Sequence, residues 1–371
     1  LPFLIITHAE HYISPKGELS AYAPYVREMN IWLKHVEKVI IVAPKAKAFD
    51  EQINLGYNHP NIKYIEVPAF SLLGFQNCLR TLLVLPKITF TVFKAMKNAS
   101  HIHLRCPGNM GLIGCVLQVF FPNKKKTAKY AGNWDYNSKQ AWSYRLQQFL
   151  LNSTLLTKQM TALVYGHWPG VSKNIKSFFT ATYRENEKQV NLLRNYTTAL
   201  HFCFVGSLTT NKGIFETLDI VQQLKYLKYE VVLHFYGDGK DKAKLIDKIK
   251  AYKAEKWVFV YGNQPKQQIK KALQYSHFLL LPSKSEGWPK AIAEAMFWGC
   301  IPIATKVSCV PWMLDNGKRG ILLGDDFDNN IKLITSYIND YEKLEQLSEK
   351  GSKWSRQYTL DNFEKEIKQL L

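Results

Sequence analysis

Two glutamates, Glu286 and Glu294, stand eight positions apart in the segment Ser283-Lys-Ser-Glu-Gly-Trp-Pro-Lys-Ala-Ile-Ala-Glu-Ala-Met296. The apolar run Leu279–Leu281 precedes it. Pro289 marks a helix start, because proline at a first helical position lacks only an N–H that has no intrahelical partner. The pattern predicts a strand, a short loop carrying Ser285, Glu286 and Gly287, and a helix carrying Glu294 in its second turn. Positions eight apart on a uniform helix lie roughly 80° apart around the axis, so the two carboxylates need not share a stripe. A helix start after a parallel strand presents free N–H groups and the positive end of the helix dipole to an anion. Trp288, Lys290 and Ala291 are placed to present those amides. A diphosphate suits such a place better than a neutral ligand.

A second junction of the same kind is Gly206-Ser-Leu-Thr-Thr-Asn-Lys-Gly213, between the strand His201–Val205 and the helix Glu216–Leu227. Gly206 permits close backbone approach and Lys212 has the reach to meet a phosphate. Gly237-Asp-Gly239 and Tyr261-Gly-Asn263 each end a further strand.

The elements that must position these residues repeat along the chain. In the second half, strands at 201–205, 231–236, 258–261, 278–282, 301–304 and 320–323 alternate with helical stretches. In the first half, strands at 1–7, 39–42, 62–67, 102–104, 127–130 and 162–165 alternate with helices at Tyr22–Leu33 and Ser138–Leu156. This alternation predicts parallel sheets covered on both faces. The polar stretch Tyr183–Thr198 is the best linker. The expected division is residues 1–195 as a first Rossmann-like domain, 196–352 as a second, and 353–371 as a last helix returning to the first.

The 371 residues carry 46% hydrophobic and 13% aromatic content, which suits packed cores and excludes general disorder. Six scattered cysteines without a C-x-x-C pair read as reduced, mostly buried thiols. His101 and His103 alternate with Ile102 and point to one face with no third ligand in sight, so no metal is expected there. Asp325-Asp-Phe-Asp328 reads as a solvated acidic turn. No run approaches the roughly 20 apolar residues that span a bilayer, and the expected location is cytoplasmic, with peripheral contact at an inner membrane surface open. The net charge of +19 favours anionic partners: nucleotide diphosphates, anionic lipid or nucleic acid. Ser71–Lys97, with Leu73, Phe75, Leu79, Leu82, Leu83, Phe90 and Phe93 among Arg80, Lys87, Lys94 and Lys97, has the composition to dock on anionic lipid. The same stretch also fits core-facing helices with basic outer faces.

In the context of strand, P-S-x-x-E-G, helix, E-A-M and G-x-I-P-I-A-T, the Glu-x7-Glu spacing resembles the GT-4 retaining glycosyltransferases (glycosyl transferases group 1). The resemblance implies the GT-B fold, two Rossmann-like domains facing across a cleft, with the donor site in the C-terminal half. It implies that Glu286 meets the donor sugar and Glu294 the nucleotide ribose, since a carboxylate accepts two vicinal hydroxyls. It assigns donor contacts to Gly206, Ser207, Lys212, Gly237, Tyr261, Gly262, Asn263, Ser285, Glu286, Gly287, Trp288, Pro289, Lys290, Ala291 and Glu294. Ser207 stands where the family usually has an arginine, which removes one of two expected cations. On the acceptor side, the family commonly has a Gly-rich loop after the first strand, where His8 and Gly17 lie. The family's mid-domain histidine has no counterpart in Lys129-Tyr-Ala-Gly-Asn-Trp-Asp135, which leaves Asn133 and Asp135 as catalytic candidates beside Glu286 and Lys212. His103, Arg105 and Asn109 are further acceptor-side candidates.

The implied reaction is retaining transfer of a sugar from a nucleotide-diphosphate donor, UDP-sugar first and GDP-sugar next, to a glycan or lipid-linked acceptor in polysaccharide assembly. It implies no cofactor and no metal, with helix dipoles and cations neutralising the leaving diphosphate. Two other readings share some of these features. A GT-B sugar-nucleotide epimerase keeps the fold and changes the reaction; a phosphorylase would need a pyridoxal-binding lysine context that the chain lacks. A basic nucleic-acid-binding protein fits the charge but has no helix-turn-helix, zinc or RNP pattern, so nucleic acid is not expected as a partner.

Overall fold

In the computed structural model, which describes residues 1–15, 17–46, 53–70 and 75–371, the apolar run near the start becomes β1 (Phe3–Ile6), buried along its whole length. It is followed by β2 (His11–Ile13), β3 (Leu19–Tyr22), α1 (Ala23–Leu33), β4 (Val39–Pro44), β5 (Asn54–Gly56) and β6 (Ile62–Val67). Then come α2 (Phe75–Lys97), β7 (His101–Cys106), α3 (Asn109–Leu117), β8 (Lys125–Tyr130), α4 (Trp142–Leu151), β9 (Met160–Tyr165) and β10 (Ile175–Phe178). Seven of the strands form one sheet in the order β10-β9-β8-β7-β1-β4-β6, with every pairing parallel. Right-handed crossovers put α1 on one face and α2, α3 and α4 side by side on the other. Leu4, Ile6, Val42, Ile102 and Leu104 pack with Ile88, Val92, Met96 and Ile113 on the second face. On the first face Trp32 of α1 stacks on Phe3 and packs at a tilt on His103. His101 and His103 do point to one side, and both bond the Thr127 hydroxyl, at 2.9 and 2.8 Å.

The small antiparallel sheet β2-β3-β5 was not expected from the sequence. It corrects the reading of Gly17, which turns the β2–β3 hairpin in a left-handed conformation (φ 82°), with its amide bonded to Ser14 O at 2.8 Å. The stretch after β1 is a hairpin rather than a Gly-rich loop. Lys16 beside it, and Ser71–Gly74 with Leu73 in the basic amphipathic stretch, lie outside the described residues.

The second series is more regular: β11 (Leu200–Val205), α5 (Ile214–Tyr226), β12 (Val231–Tyr236), α6 (Lys242–Ala251), β13 (Val258–Val260), α7 (Lys266–Tyr275), β14 (Phe278–Leu281) and α8 (Lys290–Phe297). It continues with β15 (Ile301–Thr305), α9 (Val310–Met313), β16 (Ile321–Leu323), α10 (Phe327–Ile338), α11 (Tyr341–Ser355) and α12 (Leu360–Leu370). Its parallel sheet has the order β13-β12-β11-β14-β15-β16. The chain therefore divides into two units, Leu1–Phe179 with Glu364–Leu371, and Thr180–Phe363. From Glu364 on, the last helix belongs with the first unit: Glu364 pairs with Lys34 at 3.3 Å and His35 at 3.0 Å, and Glu366 with Lys176 at 2.6 Å.

The division falls earlier than residue 195, because the polar stretch read as a linker is anchored in the second unit. Tyr183 packs on Phe297 and Trp298. The Arg194 guanidinium donates to the carbonyls of Ser276, Leu273, Gln274 and Trp298 at 2.8–3.1 Å. Arg194→Ala strips partners from several carbonyls at once, and is expected to lower unfolding free energy by about 1–3 kcal/mol. A urea titration followed by circular dichroism checks this; an unchanged midpoint would show the anchor to be energetically idle.

Candidate functional site

In the second unit the strand order reverses between β11 and β14. From β11 the chain steps outward through β12 and β13, and from β14 it steps the other way through β15 and β16. Loops leaving the carboxyl ends of two such strands diverge and open a crevice, the usual ligand position in doubly wound sheets. The two loops there are Gly206–Gly213 and Pro282–Pro289, the two junctions the sequence singled out.

Backbone contacts fix these loops against each other. Lys284 N bonds Asn211 O at 2.9 Å, and a Cβ on Gly213 would lie 2.2 Å from Pro282 O. Gly213 also takes a left-handed conformation (φ 76°), so a side chain there is excluded twice over. The loop after β12 is laced in as well: Leu208 N reaches Asp238 O at 2.9 Å, and a Cβ on Gly237 would sit 1.9 Å from Gly206 O. Asp241, just ahead of α6, accepts from the Thr210 amide and hydroxyl at 2.8 and 3.0 Å instead of capping its own helix. The sequence reading passed over Asp241; a small acidic residue before a helix was the available signal.

This frame brings Lys212 and Glu286 together. Lys212 Nζ lies 2.7 and 2.8 Å from the two carboxylate oxygens of Glu286. The carboxylate is nearly buried and the lysine is about one-third exposed, so the cation is the group that faces solvent. Helix α8 begins at Lys290, with Pro289 as the flanking residue rather than the first helical one. The first amide to bond back is that of Ile292, to Pro289 O, which leaves Lys290 and Ala291 ahead of the hydrogen-bonded ladder. Gly287 is held through its carbonyl by Ser308 Oγ at 3.2 Å and Cys309 Sγ at 3.1 Å. Trp288 is buried among Trp312, Trp354 and Tyr358. Ser207 and Ser285 are exposed, as are Tyr261 and Asn263, while Gly262 accepts from the Gly237 amide at 2.8 Å. Tyr261 stacks on Tyr236 at 4.9 Å.

Glu294 does not join the Lys212–Glu286 pair. Its carboxylate accepts from the Thr182 hydroxyl at 2.6 Å and borders a small pocket with Tyr183, Lys290 and Tyr358. Burial raises its pKa above the ordinary carboxylate value, against the lowering effects of the Thr182 hydrogen bond, Lys290 and Lys266. Thr182, just ahead of the stretch read as the linker, gave no sequence signal.

In the first unit the strand order reverses between β1 and β7. His8 follows β1, and a Cβ on Gly108 would come within 2.3 Å of its ring. Asn109 opens α3 and donates through its side chain to Phe70 O at 3.1 Å. The remaining acceptor-side candidates are interior or locally tied. His103 is fully buried in the α1 face, which removes it from any ligand surface. Arg105 is committed to Glu28, which also takes Lys129 Nζ at 2.8 Å. Asn133 Oδ1 accepts the Asp135 amide at 2.9 Å, and Asp135 Oδ1 accepts the Asn137 amide at 2.9 Å, so both side chains stabilise their own turn. Glu28 was missed because a glutamate in an amphipathic helix reads as solvent-facing. Asp326 caps α10 through the Asn329 amide at 2.7 Å, in line with an acidic turn. Among the described residues no three His, Cys, Asp or Glu side chains group to hold a metal ion, and no helix is long and apolar enough to cross a membrane.

Residues 185–354 match the family of glycosyl transferases group 1. The amylovoran biosynthesis glycosyltransferase AmsD of Erwinia amylovora is 27% identical over 143 residues, which is 38% of each chain. The chain spans about two fifths of the length of the curated relatives it matches. Among solved structures, the lipopolysaccharide outer core galactosyltransferase WaaB superposes with a TM-score of 0.71 at 15% identity, covering 100% of this chain and 99% of its own. HepE of Anabaena, in complex with UDP and glucose, gives 0.69 at 15% identity, covering 100% and 98%. Residues 185–354 are thus similar to the glycosyl transferases group 1, on a chain whose two Rossmann-like units have the GT-B fold.

Proposed function

We propose that the protein is a retaining glycosyltransferase that moves a sugar from a nucleotide-diphosphate donor, a UDP-sugar in the first instance, to a hydroxyl of a glycan or lipid-linked acceptor. The observation that carries this reading is the Lys212–Glu286 pair at the strand-order reversal, beside the open amide end of α8. In the proposed complex the diphosphate lies against the Lys290 and Ala291 amides and Lys212. Glu286 accepts sugar hydroxyls and holds Lys212 in place, and Glu294 takes the ribose hydroxyls. The anomeric carbon–oxygen bond breaks with its electron pair moving to the diphosphate. The acceptor oxygen bonds the anomeric carbon on the same face, and its proton passes to a leaving phosphate oxygen. Fixed dipoles and cations stabilise the charge that develops, so the proposal includes no metal.

The likeness to HepE, solved with UDP and glucose, supports a UDP donor. AmsD is named for amylovoran biosynthesis and WaaB for the lipopolysaccharide outer core, which supports a glycan acceptor and a place in polysaccharide assembly. The test is a thermal-shift panel of UDP-, GDP- and ADP-sugars on the wild type and Glu294→Ala. One nucleotide class is expected to raise the melting temperature, and the variant to lose most of that rise. No rise with any nucleotide sugar would overturn the proposal.

A further inference from the structure

Between Glu66 and Arg184 the chain has a single acidic residue, Asp135, against fourteen lysines and arginines. That stretch therefore supplies thirteen of the nineteen excess positive charges, and among the described side chains all its cations but Arg105, Lys126 and Lys129 lie outside the core. It contains α2, α3 and α4, the three helices that lie side by side on one face of the first sheet. Their buried sides fill the core with Ile88, Val92, Met96 and Ile113, and their outer sides are not the polar surface such helices usually show.

On α2, Leu83, Lys87, Phe90, Lys94 and Lys97 recur at i, i+4, i+7, i+11 and i+14, one outward stripe that alternates apolar and cationic residues. Leu83 is 83% and Phe90 69% exposed. Phe120, just beyond α3, is 67% exposed, and Phe93 of α2 packs against its ring at 6.3 Å, which joins the two helices into one surface. On α4, Trp142 and Phe149, at i and i+7, are 63% and 64% exposed, with exposed Arg145 between them. Large aromatic and aliphatic side chains at this exposure are costly in water when they stand together.

We propose that this face docks on an anionic lipid bilayer surface. Rings and leucines enter the headgroup–acyl boundary while the interleaved lysines meet anionic headgroups. The charge selects this occupant. A second copy of the same face would bring two acid-free basic surfaces together, which repel, whereas a bilayer rich in phosphatidylglycerol supplies the opposite sign over a continuous area. The inference is independent of the donor assignment, because it uses no residue of the second unit.

The experiment is flotation of the full chain with vesicles of phosphatidylcholine alone or mixed with phosphatidylglycerol. The double variants Phe90→Ser/Phe149→Ser and Lys87→Gln/Lys94→Gln are run beside the wild type, with circular dichroism to confirm folding. Wild-type protein is expected to bind the anionic vesicles at least about tenfold more tightly than the neutral ones. Each double variant is expected to lose about tenfold or more, and raised salt to weaken the wild type. Equal binding of wild type and folded variants would overturn the proposal. So would absence of binding to the anionic vesicles, whether the protein proves to self-associate through this face or to bind duplex DNA instead.

Discussion

Lys212→Met is expected to lower kcat/KM for sugar transfer by roughly 10²–10³-fold, the usual cost of removing one positioned charge from a developing anion. The effect is large because Lys212 is doubly constrained. Glu286 holds its ammonium through both carboxylate oxygens, and the backbone around it is pinned by Gly213 against Pro282 and by Lys284 N on Asn211 O. The ammonium needs little reorganisation when diphosphate charge appears. Ser207, in the same loop, brings no second cation to that role. Glu286→Gln is expected to fall as far, because it removes the anchor of the lysine together with the proposed acceptor for sugar hydroxyls. The two losses should not add in the double variant, since the residues act as a unit. The methionine variant also leaves a nearly buried carboxylate without its cation, so rates must be compared well below its melting temperature. Transfer at the wild-type rate by folded Lys212→Met would remove this pair from the chemistry.

The second large effect is on stability. Glu28→Leu is expected to cost about 3–5 kcal/mol, because it strands Arg105 and Lys129 in the interior of the first unit without their shared carboxylate. Both cations are buried or nearly so, and Lys129 Nζ also lies over the Tyr165 and Phe178 rings at 5.3 and 5.5 Å. Burial alone would push the Glu28 carboxyl up, but Arg105 and Lys129 outweigh it and hold the group well below the ordinary carboxylate range. A carboxyl depressed in the folded state contributes stability that is fully present above its unfolded pKa, about 4.3, and is lost as pH falls toward the folded value. Wild-type protein should therefore lose stability steadily below about pH 4, and the leucine variant should show a shallower acid dependence. Urea melts across that range check both statements. A variant as stable as wild type, with the same acid slope, would mean the two cations are satisfied elsewhere.

The sequence carried the second unit almost whole. Short β-rich apolar runs bounded by glycine and separated by helical stretches have one parallel-sheet solution, and each strand from β11 to β16 falls where that pattern places it. The first unit was less legible. Its hairpin sheet β2-β3-β5 is made of three- and four-residue strands, too short for a period to register, and α3 is hydrophobic on nearly all sides. The linker was misplaced for a related reason: Tyr183–Thr198 is polar, but Arg194 spends its charge on interior carbonyls, which composition does not reveal.

Local sequence determined which residues could do chemistry at the second-unit junctions, because glycine, proline and the strand–loop–helix pattern act on near neighbours. Only the tertiary structure decided which of them meet. Lys212 and Glu286 are far apart in the chain and touch because β11 and β14 are adjacent strands at the point where the sheet reverses its order. The same packing turned Glu294 toward Thr182 and drew Glu28 to Arg105 and Lys129. A charge removed from water must find its counterpart, and that partner is set by which strands lie side by side, not by position along the sequence.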